Sequence, residues 1–443
     1  MFRDFRDILS SKGILLILLT SAIIRFLFFV FLPGSASKFG PDEGTYATLA
    51  KYVSEGLPVK HFPVYGSELY NSGRSFFLPS TLLIKLGINE LNAVRLTSTI
   101  YGFASILILA MTYQSLQQIL KFNFRKKQSH FNKESIILVG IFAFIPSNFV
   151  WTTIGLRESS SQFWLMTSFY FLLKIYLDSG LKLLGYVVLS IISIMFSFGS
   201  RPESAFVFSI VTLSFSIYAL IKLRKIAPML AVLLGFILGQ IFTSSWDSSK
   251  EMNQNSGFDR KPIVKQDVSD GKEREKSVIS DHELANNLRI FKFIEDKRNL
   301  NSIGAESALP QTNCVDQSQD FIGILKCNSL ILPYRLFTFL FRPLFVFDEG
   351  TLFVKLASLE NLVWLVIIPF SLFVAFRRDV NPILNKVKIY LATFILVYSS
   401  AAALYEGNLG TAFRHKSLIF WPVILILLLS WRKKLEWRRV QTY

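Results

Sequence analysis

Residues 13–33 read GILLILLTSAIIRFLFFVFLP, an apolar stretch interrupted by one charge, Arg25. A stretch of that length crosses a hydrocarbon core as a single helix. Residues 226–245 repeat the signal, and residues 416–431 give a shorter version of it. The runs are continuous rather than alternating, which argues against a β-barrel. Composition agrees, with 51% hydrophobic residues and 43 Phe in a chain of 443. The charged fraction of 18% is too low for a disordered chain. A soluble enzyme is therefore excluded, and the expected class is an all-α polytopic membrane protein.

Working outward from residues 13–33, the hydropathy pattern predicts about ten spanning helices. They fall near residues 13–33, 93–116, 135–151, 161–177, 183–199, 203–221, 226–245, 359–376, 387–404 and 416–431. Three regions follow from this: a seven-span module over 1–245, a large loop over 246–358 and a three-span module over 359–443. With both termini in the cytoplasm, the inner segments hold 20 Lys and Arg and the short outer segments 8. That is the positive-inside bias, and it predicts a multi-pass protein of the inner (plasma) membrane. The inner segments hold 6 acidic residues, so they supply most of the net charge of +17. The charge thus sets orientation, and no nucleic-acid partner is implied. The first apolar run is too long for a typical signal-peptide core and reads as an uncleaved anchor.

Residues 330–347 (LILPYRLFTFLFRPLFVF) are apolar but carry Arg335, Arg342 and two prolines. If they spanned, the basic segments 377–386 and 432–443 would move outside, so they read as an interfacial or re-entrant piece on the outer side. The large loop looks mobile from Asp247 to Lys276 and has a helical pattern near 281–298. Its two cysteines, Cys314 and Cys327, are the only ones in the chain and face an oxidising compartment, so a disulfide is expected.

The chemistry lies in the first outer loop, about 34–92. Residues 39–58 read FGPDEGTYATLAKYVSEGLP. Pro41 suits a first helical position, and Asp42 and Glu43 suit the first turn, where the helix dipole favours acids. Tyr46, Leu49, Ala50 and Val53 then recur at helical spacing, and Gly56 and Pro58 end the run. Ordinary capping would produce the same acidic pair. Its place directly after a span also lets a carboxylate meet a lipid-borne substrate. Every other short outer turn carries an arginine near a carboxylate: Arg157 with Glu158, Arg201 with Glu203, and Arg414 with Glu406. The last turn also holds Asn408, His415 and Lys416. Singly these pairs read as interface anchors; together with Asp42 and Glu43 they can line one outward cavity. Arginine presents a planar fork that matches phosphate oxygens. Neither a P-loop nor a zinc signature appears, so a lipid-linked donor fits better than a nucleotide.

The acidic pair, the Tyr and the helix ending in Gly resemble the first-loop motif of GT-C membrane glycosyltransferases. The likeness is to the glycosyltransferase family 39-like branch of protein O-mannosyltransferases and the lipid A aminoarabinose transferase. Asn89–Leu109 is similar to that family's second span, and Phe144–Tyr176 to its third and fourth. The resemblance covers roughly the first 200 residues. It implies sugar transfer from a polyprenyl-phosphate-linked donor to a glycan, lipid or protein acceptor on the extracytoplasmic face, with inversion at the anomeric centre. Asp42 would be the general base, and Glu43 would orient the acceptor or a metal. Arg414, His415, Lys416, Arg201 and Arg157 would hold the donor phosphate, with Glu158, Glu203, Asn408, Tyr46 and Arg342 as further site residues. No cofactor is required by the sequence; a divalent ion, Mg or Mn, would fall to Asp42 and Glu158. The large loop and its arginines also resemble O-antigen or capsule-type polymerases and ligases, in which Arg342 and Arg414 would be central. A flippase or transporter is the third alternative. It would need acids deep in spans, whereas the main charges within the predicted spans are Arg25, Arg95 and Lys174.

Overall fold

A computed structural model describes residues 2–32, 42–62, 66–121, 133–178, 180–244, 294–295, 298, 314, 321–344, 352–378 and 381–440. Among these residues there are helices and no strand. The first helices are α1 (Phe2–Leu9) and α2 (Lys12–Phe31), followed by α3 (Asp42–Ser54), α4 (Gly66–Asn71) and α5 (Arg74–Lys85). The helices α6 (Glu90–Lys121), α7 (Lys133–Phe144), α8 (Pro146–Trp151) and α9 (Glu158–Leu177) come next. They lead into α10 (Leu181–Phe198), α11 (Pro202–Leu223) and α12 (Ala227–Ser244). After the large loop come α13 (Phe321–Phe341), α14 (Leu352–Phe376), α15 (Pro382–Tyr405), α16 (Leu409–Lys416) and α17 (Phe420–Val440). The expected patterns at 247–276 and 281–298 lie outside the described residues, apart from positions 294, 295 and 298.

Nine helices among the described residues are long and apolar enough to cross a membrane. The chain is thus a multi-pass membrane protein. Eight of the nine coincide with expected spans, and the ninth is α13. The expected span 161–177 is α9, whose early turns are Ser- and Gln-rich and which is buried along most of its length. The expected span 135–151 is broken into α7 and α8, because Pro146 cannot donate a helical hydrogen bond. The belt of large apolar side chains facing outward explains the hydropathy: Phe26, Phe31, Leu181, Ile221 and Val366 are all exposed. Together with the length of the helices, such a surface is suited to contact with hydrocarbon. The stretch Leu409–Ser430 is buried almost throughout and forms the centre of the bundle. Close packing elsewhere uses small residues: a Cβ added to Gly235 or Gly239 of α12 would fall 2.8 or 2.5 Å from side-chain atoms of Ile194 or Phe198 on α10.

Length and apolarity alone would let α13 cross. Its contacts keep it near one end. Phe339 meets Tyr398 edge-on at 6.5 Å, and the Pro343 carbonyl accepts a hydrogen bond from Asn361 (2.9 Å). Tyr398 lies seven residues before the end of α15, so α13 reaches only about 10 Å below that end. The chain therefore sorts into two ends. At one end gather the start of α3 and the turns between α8 and α9, α10 and α11, and α15 and α16. At the other, Asp4 of α1 is held by Lys174 (2.6 Å) and Tyr170 (2.8 Å), and Lys225 donates to the Tyr176 carbonyl (2.7 Å).

Candidate functional site

The site begins with α3. Its helix is ended as its sequence requires, by Gly56 at φ 75°. Glu43 in its first turn is fully buried. Arg95 of α6 grips it with Nε at 2.7 Å and Nη2 at 2.9 Å, and the Gly155 amide donates a third bond at 2.9 Å. Gly155 must be glycine here, since a Cβ would fall 2.5 Å from Val94 Cγ2. The same turn is pinned from behind by Arg25 of α2, which donates to Thr152 Oγ1 (2.6 Å) and Thr153 Oγ1 (3.0 Å). Two of the charges within the predicted spans thus build the floor of the site. The sequence reading gave Glu43 the role of orienting an acceptor or a metal; its side chain is instead fully buried against Arg95, a clamp that fixes α3.

Fixing Glu43 presents Asp42. Its side chain keeps 45% of its surface exposed and accepts a 2.7 Å bond from Arg414 Nη1, which comes from α16 near the other end of the chain. Behind this pair, Arg201 Nη2 donates to Glu158 Oε1 at 2.7 Å, and both side chains are buried. Glu158 Oε2, Arg201 Nε and Arg157 Nε are buried without a hydrogen-bond partner. Burial alone would lower the Arg201 guanidinium, but Glu158 outweighs it and raises the group above its ordinary value. Arg157 reaches Ser72 Oγ at 2.7 Å. Tyr46 packs edge-on against Phe76 and Phe77, and its phenol is pushed up by burial. It lies within the field of Arg157, Glu158, Asp42 and Arg201, which places these groups in one cluster.

The last turn closes the cluster. Asn408 caps α16 by accepting from the Gly410 amide (2.7 Å). His415 Nδ1 lies against Glu406, whose other oxygen accepts from Thr411 (2.8 Å). Burial alone would raise the Glu406 carboxyl; His415, Thr411 and Arg201 outweigh it and hold it below the ordinary carboxylate range. Glu203 is exposed at the start of α11, with its field reaching Arg201 and Glu406.

Two expected residues sit elsewhere. Lys416 turns away from Asp42 to bond Asn361, over the ring of Phe413 (4.8 Å), because the helical step from Arg414 carries it to the opposite side of α16. Arg342 is half-buried just before Pro343, beside the Asn361–Lys416 link. The structure also adds two residues. Arg298 and Arg335 line a small cavity together with Thr338 and Glu406. Nothing in the sequence marked Arg298. The expected disulfide joins Cys314 to Cys327, with Cα atoms 5.7 Å apart.

The residues do not fit a divalent ion at Asp42 and Glu158. Each carboxylate is already paired with a guanidinium, and among the described residues no three His, Cys, Asp or Glu side chains gather as ligands. What the arrangement offers is a half-exposed carboxylate, Asp42, in a nest of arginines. Such a nest can take a proton on Asp42 and stabilise negative charge that develops beside it. No protein-family model matches this chain, and none of the curated proteins matches it.

Proposed function

We propose that this protein is a membrane glycosyltransferase acting on the extracytoplasmic face of the plasma membrane. The donor is a sugar on a polyprenyl phosphate, and the acceptor is a hydroxyl of a glycan, lipid or protein. One observation carries the reading: the half-exposed Asp42 is held by Arg414, next to the buried Glu158–Arg201 pair, at a membrane-level end of the bundle. Asp42 takes the proton of the acceptor hydroxyl as its oxygen attacks the anomeric carbon. The bond from that carbon to the phosphate oxygen breaks, and the phosphate leaves with the electron pair. Arg414, with Arg201 and Arg157 behind it, offsets the charge on the departing phosphate. A general base is worth about 10²–10⁴ in rate, which Asp42 alone is asked to supply. Positive-inside bias supports both termini in the cytoplasm and the cluster outside.

The test is transfer in proteoliposomes from a radiolabelled polyprenyl-phosphate sugar pool extracted from the host membrane. Asp42→Asn should lose product while Thr48→Ala, on the exposed face of α3, keeps it. Equal product from Asp42→Asn and the native protein would refute the assignment.

A polysaccharide polymerase or ligase is the second reading. It is favoured by the approach of Arg298 and Arg335 to Glu406, which brings the large loop to the cluster. In that case Arg335→Ala would abolish product, and Asp42→Asn would only reduce it.

A further inference from the structure

At the end of the bundle away from Asp42, helices α9, α11 and α15 do not close on one another. They leave a slot of roughly 200 Å³. Leu173, Phe215, Ala219 and Val387 give it apolar walls. Phe169 stacks on Tyr390 at 5.3 Å, and Tyr390 shares a 2.8 Å hydrogen bond with Thr212, so these two hydroxyls are already paired. Water gains little in such a space, because it needs two to four free polar partners. The slot opens on the periphery of the bundle, where Tyr218 and Ile383 are 43% and 46% exposed.

The mouth is basic. Lys386 Nζ lies 5.1 Å from the Tyr218 ring centroid. Lys225, from the connection after α11, donates to the carbonyl of Tyr176, another wall residue. Asp178, which caps α9, is the carboxylate nearest in sequence and lies toward Tyr186 of α10. The slot is thus apolar along its depth and positive at its rim, which is the pattern of an anionic amphiphile.

We propose that the slot binds one acyl chain of an anionic phospholipid from the leaflet at that end, with the headgroup phosphate on Lys386 and Lys225. It is separate from the donor site: α9 is 20 residues long, so its two ends lie about 30 Å apart.

The experiment uses the full chain, purified in mild detergent and stripped of lipid. Phosphatidylglycerol or phosphatidylcholine of matched chain length is added, and native mass spectrometry counts retained lipid. The native protein should retain one phosphatidylglycerol in preference to phosphatidylcholine. Lys225→Gln with Lys386→Gln should weaken that preference by roughly fivefold per lysine removed. Ala219→Phe, which fills the slot, should lose the retained lipid altogether. Because Ala219 is buried, the two half-exposed lysines keep the test valid if that variant misfolds. Arg377→Gln with Arg378→Gln, basic residues after α14, should retain phosphatidylglycerol as the native protein does. Equal retention by the lysine variant and the native protein, or an equal loss in the Arg377/Arg378 variant, would overturn the proposal.

Discussion

Replacing Arg95 by Met probes the foundation of the site. Arg95 and Glu43 expose 1% and 0% of their side chains, and the guanidinium donates two hydrogen bonds to the carboxylate beside the one from the Gly155 amide. Removing it takes the counter-charge and two hydrogen bonds from a fully buried carboxylate. Breaking a buried pair from one side costs about 3–5 kcal/mol. Replacing both partners by apolar groups costs far less, because no charge is stranded. Glu43→Leu with Arg95→Met should therefore be more stable than Arg95→Met alone, a coupling of several kcal/mol by the double-mutant cycle. The assay is reversible unfolding in mixed micelles followed by tryptophan fluorescence. Limited proteolysis of α3 would report the local loosening. An Arg95→Met protein as stable as the native one would refute the clamp, as would a double variant that costs the sum of the single ones.

Three further outcomes follow from the same geometry. Arg201→Ala should cost both stability and transfer, since it strands the buried Glu158; Arg201→Ala with Glu158→Ala should recover stability without transfer, measured in the same two assays. Replacing Cys314 and Cys327 by Ser should destabilise the attachment of α13 by about 3 kcal/mol, the value for a loop of this length, read as faster proteolysis before Phe321. Burial alone would raise the Asp4 carboxyl, but Lys174 and Tyr170 outweigh it and lower it from its ordinary value. Its contribution is present in full above the unfolded value of about 3.9 and is lost as pH falls through the lower folded value. Asp4→Asn should thus be less stable at neutral pH and should lose less stability than the native protein on acidification below about pH 4.

The membrane fold was legible because apolar runs report directly on hydrocarbon. What ran against the pattern were helices whose surroundings are protein. α9 carries Ser159, Ser160, Ser161 and Gln162 in its first turns because it is buried among neighbours. α13 has the composition of a span, but Phe339 and Pro343 meet partners near the site end. At the site, the Asp42–Glu43 pair was visible from helix-start chemistry. Which of the two faces solvent was not, because that depends on Arg95, 52 positions away. The arginine turns were visible one by one. Their convergence needs the packing of α16 beside α3, a contact between Asp42 and Arg414 separated by 372 residues. Lys416 departs from its expected place for a local reason: residues two apart on a helix point to nearly opposite sides, and Arg414 already occupies the side facing Asp42.

The central claim is that Asp42 acts on the proton of the acceptor while the arginines act on the phosphate. Measuring donor binding apart from transfer separates the two roles. The account predicts that Asp42→Asn binds the lipid-phosphate sugar within about twofold of the native protein yet transfers it at least about 10²-fold more slowly. Arg414→Ala should lose donor binding as well. An Asp42→Asn protein that transfers at the native rate, or an Arg414→Ala protein that binds donor normally, would contradict it.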